Sequence, residues 1–344
     1  MSCPVPLQDH ETVQLAHGGG GRLSKQLVEG LIASTFDNPL LAPLHDGAVL
    51  EVPAGQMAFS TDSYVIRPLF FPGGDIGSLS VHGTVNDLAM CGAQPLALSV
   101  AFILEEGFPM TDLQRVVASL QAAAAEAGVP VATGDTKVVD RGKGDGLYIN
   151  TAGIGLIPTG IRLAPDRARP GDVVLLSGEI AVHGIAIMSV REGLAFETTL
   201  ESDSAALHGL VANVLAAGGE RVHVLRDPTR GGVASALNEI ADGGGVGIEL
   251  EERALPVREE VRGACELLGF DPLYVANEGK CLAIVAPDAV DAVLAAMRAH
   301  PRGRDAVAVG TVVEGHPGTV HMKSLIGSRR IVEMMSGEQL PRIC

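Results

Sequence analysis

Three prolines fall between Pro158 and Pro170, interleaved with Arg162, Arg167 and Arg169, and they interrupt the chain near its middle. Proline fixes φ and has no N–H to donate, so neither a helix interior nor a sheet core runs through such a stretch. It reads as a linker. On both sides, aliphatic strand-like runs alternate with helical spacing in a similar order. A length of 344 residues also exceeds what one core usually organises. The expected fold class is α+β, built of α/β layers: one unit over 1–160, a second over 161–335 and a tail over 336–344.

With aromatics at 3% and no tryptophan, the cores must rest on Ala, Val, Leu and Ile. The formal net charge of −16 and the lack of any basic block argue against a nucleic-acid surface or an anionic membrane as partner. The longest apolar run, near Leu96 to Leu104, is too short to span a bilayer. The N-terminus lacks the basic and apolar regions of a signal peptide. The five cysteines are odd in number and show no CxxC pairing, so neither a zinc site nor a disulfide framework is indicated, which suits a reducing cytoplasm.

Along the first unit, a helix is expected over Arg22–Ala33. Val49–Val52 and Met57–Thr61 read as a hairpin, and a helix follows over Ile76–Met90, closed by Gly92. Pro95–Leu104 and Val129–Thr133 read as strands around a helix opened by a capping box at Thr111 to Gln114. Gly134-Asp135-Thr136-Lys137 reads as a turn, and Leu147–Ile157 as another strand. In the second unit a strand opens at Asp172–Ser177. Helices are expected near 183–192, 203–217, 231–241, 257–268 and 288–299, with strands near 281–286 and 306–313.

Gly18, Gly19, Gly20 and Gly21 stand immediately before the first helix. Free backbone N–H groups at a helix N-terminus suit an anion such as polyphosphate, although a surface loop needs the same glycines. The stretch matches neither GxxxxGK[ST] nor GxGxxG. Asp46, Asp62, Asp87 and Asp135 fall at strand ends, in loops or on a helix, where carboxylates around one pocket could hold Mg²⁺ against phosphate. Taken singly, each also suits a cap or a turn. His82 and Asn86 share a helical face. Lys137 follows Thr136 and can neutralise a transferring phosphoryl group. Asp227, Thr229 and Arg230 precede two glycines at a helix start, again a phosphate-friendly arrangement. Glu278 stands at the entrance of the apolar strand Cys281–Ile284, where partial desolvation would make it a base, although a solvent-exposed glutamate fits the same position equally well.

The chain ends Pro341-Arg342-Ile343-Cys344, after the polar Ser336-Gly337-Glu338-Gln339. Nine extended residues span roughly 30 Å, so Cys344 could swing between a site on the body and an outside partner. An unpaired cysteine on a loose tail is the bland alternative.

Taken together, these segments resemble the AIR synthase (PurM-like) superfamily of ATP-using enzymes. Asn86 to Ala89 and Asp227 to Gly232 carry the superfamily likeness. The terminal Pro-Arg-Ile-Cys resembles the carbamoyl dehydratases of nickel–iron hydrogenase maturation. The resemblance implies that Cys344 receives a carbamoyl group from a HypF-like carbamoyltransferase. ATP and Mg²⁺ then drive its dehydration to a thiocyanate, and the cyanide passes to a HypC–HypD-like iron scaffold. By the same carry-over, Glu278 is the base and Lys137 assists it. Gly18 to Gly21 close over the triphosphate, and Asp46, Asp62, Asp87 and Asp135 hold metal or nucleotide, with His82, Asn86 and Thr136 beside them. Asp227, Thr229 and Arg230 shape the site from the second unit. The superfamily also implies a homodimer whose N-terminal strands join in a barrel.

Two other readings keep weight on the sequence alone. One is a relative with a soluble substrate, such as a selenophosphate synthetase, a thiamine-phosphate kinase or an aminoimidazole ribotide synthetase. Gln14-Leu15-Ala16-His17 before the glycines lacks the cysteine a selenide-using enzyme would carry there. The other is a non-catalytic thiol carrier whose tail only docks.

Overall fold

The computed structural model describes residues 10–19, 22–41, 48, 50–193, 200–335 and 342–343. The first part runs through α1 (Arg22–Leu27), a π-helical segment Val28–Ala33 and α2 (Ser34–Phe36). Strands β1 (Gln56–Tyr64), β2 (Phe70–Phe71) and β3 (Gly74–Asp75) lead to α3 (Ile76–Met90). Then come β4 (Gln94–Glu105), α4 (Met110–Ala127), β5 (Val131–Val139) and β6 (Leu147–Ile157). The second part holds β7 (Val173–Leu176), α5 (Val182–Arg191), α6 (His208–Gly218), β8 (Val222–Arg226), α7 (Gly232–Gly244) and β9 (Gly247–Glu251). It closes with α8 (Glu259–Leu268), β10 (Leu282–Val285), α9 (Val290–Ala299), β11 (Val307–Val313), β12 (Val320–Lys323) and β13 (Arg329–Val332). This is a two-part α+β fold, as the sequence reading expects.

The first sheet has the order β1-β6-β4-β5, with only β4 and β5 parallel. β1 and β6 alternate along their length, and β4 does so from Ser99 onward, beyond two register shifts near its start. Val100, Phe102, Leu104, Ile149 and Thr151 turn to a covered face, packed with α3 and α4. The opposite face is open and carries Met57, Phe59 and Ile103, with Phe59 70% exposed. Helix α3 starts where Asp75 accepts from the N–H groups of Gly77 (2.8 Å) and Ser78 (3.0 Å), which satisfies donors left open at a helix start. It ends at Gly92, whose φ of +78° suits glycine. Gly77 lets α3 approach α4: a Cβ there would lie 2.4 Å from the carbonyl oxygen of Val116.

The second sheet has the order β13-β12-β9-β11-β7-β10-β8, and only β9 and β12 are parallel. Its central strands are buried on both faces. Val174, Leu176, Leu282 and Ile284 pack toward α7, whereas Leu175, Ala283 and Val285 pack toward α6 and α9. Helix α3 serves both parts: Ile76, Leu79 and Val85 lie in the first core, and Ala89 and Met90 lie in the core beneath α6 and α9.

Three local expectations are corrected. No hairpin joins 49–52 to β1: residues 50–52 form no strand, and β1 pairs instead with β6, almost a hundred residues on. Strand pairing is settled by which apolar faces can share a core, and nearness in sequence lost to that. Thr111 caps nothing, because α4 begins at Met110 behind Pro109, with no side-chain cap. Gly134 to Lys137 are not a turn: β5 continues through them to Val139, paired with β4.

Candidate functional site

Asp62 lies on β1 with Ala58, Ser60 and Tyr64 on the face covered by α3. Asp87 lies on α3 directly opposite, and the hydroxyl of Ser60 donates to its Oδ2 at 2.7 Å. Burial first, and the charge of Asp62 as well, push the Asp87 carboxyl above its ordinary range, while the Ser60 bond opposes them. Asp227 follows β8 and is buried; burial, then Asp87, raise it to about 7. Glu278 is only 3% exposed. Burial, then the charges of Asp227, Asp62, Asp203 and Asp87, raise it well above the carboxylate range. Its Oε1 and the Oδ1 of Asp203 are buried with no hydrogen-bond partner among the described residues. Such orphaned acceptors are rare unless an ion, a water or a ligand meets them.

Glu278 is held from both sides. The side chain of Asn277 accepts from Ala181 N–H (2.7 Å) and donates to the carbonyls of Pro228 (3.0 Å) and Val275 (2.9 Å). The Asn86 amide donates to the Glu278 carbonyl at 3.2 Å and to the Ala205 carbonyl at 3.0 Å, and its oxygen accepts from Leu207 N–H at 2.8 Å. Gly279 is obligatory in this packing, since a Cβ there would sit 1.8 Å from the Asp203 carbonyl oxygen. His82 is buried beside Asn86 and meets Ser204 Oγ through Nδ1 at 2.9 Å; burial, with Arg302 nearby, lowers its pKa to about 4. Within this chain, the polar atoms of His82 and Asn86 are thus directed at the 204–207 segment and the Glu278 backbone.

A cleft of about 420 Å³ opens over Asp87 and Asp227, with Arg226, Thr229, Arg230 and Glu239 around it. Arg230 is exposed. It also lines a neighbouring cavity of about 300 Å³ with Asp62, Tyr274, Met335, Arg342 and Ile343. The two described tail residues are therefore seated on the body. Ile343 is buried, and its carbonyl meets His183 Nε2 at 3.2 Å. Neither Arg226 nor His183 drew attention in the sequence. Both lie outside glycine-rich or acidic motifs, and only the tertiary fold brings them here.

Asp135, Thr136 and Lys137 do not join this group within one chain. The register row Asp62–Thr151–Val100–Gly134 runs across the whole sheet. Asp62 is therefore on one edge strand, and Asp135 on the other, three strand spacings or roughly 14 Å away. Asp135 and Lys137 also turn to the opposite, open face, where they pair at 2.8 Å, and that bond lowers the Asp135 pKa. At the β5 edge they also line a second cavity, about 370 Å³, together with Gly18, Lys25, Thr136, Val28, Ile32 and Phe102. Gly18 packs against β5, where a Cβ would lie 2.4 Å from Val138 N. Gly19 caps the turn, its N–H donating to the Ala16 carbonyl at 3.4 Å. Gly20, Gly21, Asp46 and Cys344 lie outside the described residues. Among the described residues, no three His, Cys, Asp or Glu side chains come together as a ready metal cluster. None of the described helices is long and apolar enough to cross a membrane.

Residues 44–157 match the AIR synthase related protein N-terminal domain, and residues 169–323 match its C-terminal domain. The chain is 58% identical over 333 residues to the carbamoyl dehydratase HypE of Azotobacter vinelandii, covering 97% of each. The chain belongs to the AIR synthase related family, among its HypE members. The crystal structure of a hydrogenase maturation protein HypE in complex with ATP superposes with a TM-score of 0.93 at 50% identity, covering 97% of this chain and all of that one. A HypE–HypF complex matches with a TM-score of 0.79 at 47% identity, over 90% of this chain and 99% of that one. Family membership accounts for the PurM-like pairing of two α/β parts.

Proposed function

We propose that this chain is an ATP-dependent carbamoyl dehydratase acting on its own C-terminal cysteine. The S-carboxamide on Cys344 is converted to a thiocyanate, and ATP leaves as ADP and phosphate. The observation that carries the reading is the seating of Ile343 beside the cavity that Asp62 and Arg230 line. Cys344 follows directly, and consecutive Cα atoms are about 3.8 Å apart. The likeness to a HypE solved with ATP supports the nucleotide.

Dehydration needs an oxygen made into a leaving group and two amide protons removed. Attack of the amide oxygen on the γ-phosphorus of ATP forms a C–O–P link and releases ADP. Cleavage of that C–O bond expels phosphate as the amide nitrogen gives up its protons and the C≡N bond completes. Glu278 is the base. Its burial makes it a stronger proton acceptor, once ionised, than a solvated carboxylate. Asn86 and Asn277 fix its backbone. Arg230 and Arg226 face the developing phosphate charge, with Thr229 and Asp227 shaping that side of the cleft.

Mg²⁺ fits this donor set. It prefers oxygen ligands and is usually held by one or two carboxylates together with phosphate oxygens and waters. Asp62 and Asp87, whose carboxyls come from facing elements β1 and α3, are the pair suited to it, and a bound ion would supply neutralisation of the triphosphate. Asp46 would add to it.

A homodimer resolves the separation of Asp62 from Asp135. The open face of the first sheet exposes Met57, Phe59 and Ile103, and its edge strands β1 and β5 have no further strand neighbour among the described residues. A second copy closing those edges into a barrel brings the β5 of one subunit against the β1 of the other. Thr136, on the same sheet face as Asp62, then borders the nucleotide site across the interface with the glycines Gly18 to Gly21, and Asp135 and Lys137 reach it around the β5 edge, with Lys137 assisting proton removal. A HypF-like transferase loads the carbamoyl group, as the HypE–HypF complex suggests. A HypC–HypD-like scaffold takes the cyanide to iron in the cytoplasm.

Intact-mass spectrometry tests the reading. Carbamoylation adds about 43 Da, and ATP reduces the gain to about 25 Da. Cys344→Ala should abolish both steps while ATP binding persists. Carbamoyl-dependent ADP release that survives in this variant would overturn the proposal and favour a soluble substrate.

A further inference from the structure

Arg342 is bonded at both its side chain and its carbonyl. Its guanidinium pairs with Asp145, in the loop between β5 and β6, and its Nε donates to the Val65 carbonyl at 2.8 Å. Its carbonyl accepts from Arg67 N–H at 3.2 Å and from the Arg191 guanidinium. Arg67 also reaches Asp145 at 3.3 Å, and Arg191 donates to the Arg67 carbonyl. Arg342 holds a left-handed φ of +55°, a conformation a residue with a Cβ keeps only when its surroundings enforce it. Just beyond it, Ile343 is inserted into the first core, with its carbonyl on His183. His183 Nε2 must be the donor, because a carbonyl can only accept; Nδ1 then accepts from the Ser202 hydroxyl at 2.7 Å.

Two guanidinium groups, those of Arg342 and Arg67, thus meet at one carboxylate, while Arg191 is bonded to the main-chain carbonyls of both residues. Arg342 first, and Arg67 with it, hold the Asp145 carboxyl below its ordinary range. An isolated exposed ion pair contributes little. This carboxylate differs in being shared: it bridges Arg342 of the tail to Arg67 of the body, and its loss would leave those two guanidinium groups beside each other without it. The same contact that secures the chain end would become repulsive.

We infer that Asp145 is a positioning residue, a latch that holds Arg342 on the body and so sets the register at which Cys344 is presented to the carboxylate site. The inference rests on the dehydratase reading for its purpose, but the latch itself is measurable without turnover. Asp145 touches none of Asp62, Asp87, Asp227 or Glu278, and its side chain is 33% exposed, so its removal opens no hole in the core.

The test uses the full chain with Asp145→Ala and the conservative Asp145→Glu. Cys344 is alkylated with iodoacetamide, and its rate is read from the C-terminal peptide, with buried Cys281 as internal control. Asp145→Ala should speed alkylation of Cys344 by about fivefold or more, the shift expected when a docked population is released. Cys281 should stay protected, with ATP binding and melting temperature unchanged. ATP-driven dehydration of preloaded carbamoyl-Cys344 should slow, and Asp145→Glu should recover part of both effects. Unchanged alkylation of Cys344 overturns the latch, and so does faster alkylation of Cys344 and Cys281 together, which marks general loosening. If alkylation responds as stated but the wild-type chain dehydrates nothing, the latch stands and the dehydratase reading falls.

Discussion

The side-chain amide of Asn86, on the helix that links the two cores, donates to the main-chain carbonyl of Glu278 at 3.2 Å. One buried asparagine from the first part thereby fixes a buried acid of the second. Its other bonds, to Ala205 and Leu207, tie down the segment that also passes Asp203.

Replacing Asn86 with alanine leaves one buried N–H and two carbonyls unpaired. Each uncompensated group costs about 1–3 kcal/mol, so a total loss on the order of 3 kcal/mol is expected. Chemical denaturation measures it. A loss near zero would mean the Glu278 loop is held by Asn277 alone.

Glu278→Gln keeps the shape and removes the proton acceptor. Dehydration should fall by about 10²–10⁴-fold, the range for a general base, with ATP affinity retained. Mass spectrometry of the carbamoylated chain after ATP addition reads it. Retention of full rate would move the base to another residue.

Asp227 has a folded pKa of about 7, raised by burial and Asp87 above its ordinary 3.8. The folded state therefore binds more protons than the unfolded one between these values. Its contribution is fully present below pH 4 and is lost as pH rises to 7. Asp227→Asn should melt with the wild type near pH 4 and several degrees above it, roughly 3 °C or more, at pH 8. A pH-independent difference would refute the assignment.

The shared-site arrangement predicts complementation. Asp62→Asn and Lys137→Ala should each be inactive alone. After mixing and subunit exchange, mixed dimers carry one doubly altered and one intact site, so about a quarter of activity should return. No recovery would mean that each site is built within one chain. Phe59→Arg should yield monomers by sedimentation, because it places a charge on the open apolar face.

Much of this was legible in the sequence. The helix from Ile76 to Met90 and the strand over Leu147–Ile157 follow from local signals that the structure keeps. Asp62, Asp87, Asp227 and Glu278 were legible as acids, and their gathering is visible only once β1, α3, β8 and the 277–279 loop are placed. Gly134 to Lys137 misled, because glycine beside aspartate signals a turn, whereas pairing with β4 extends the strand through them. A Cβ at Gly134 would lie 2.3 Å from the Val100 carbonyl oxygen, so this glycine serves strand contact and no bend. Arg191 and His183 carried no local signal: their partners in the tail, Arg342 and Ile343, stand more than a hundred residues away in sequence.

Helix α3 is lodged in two cores at once, Ile76 and Leu79 in one, Ala89 and Met90 in the other. A strut embedded in both halves cannot follow one without tearing itself from its counterpart. Swinging one half away from the other would have to pull Ala89 and Met90 out of their seat beneath α6 and α9.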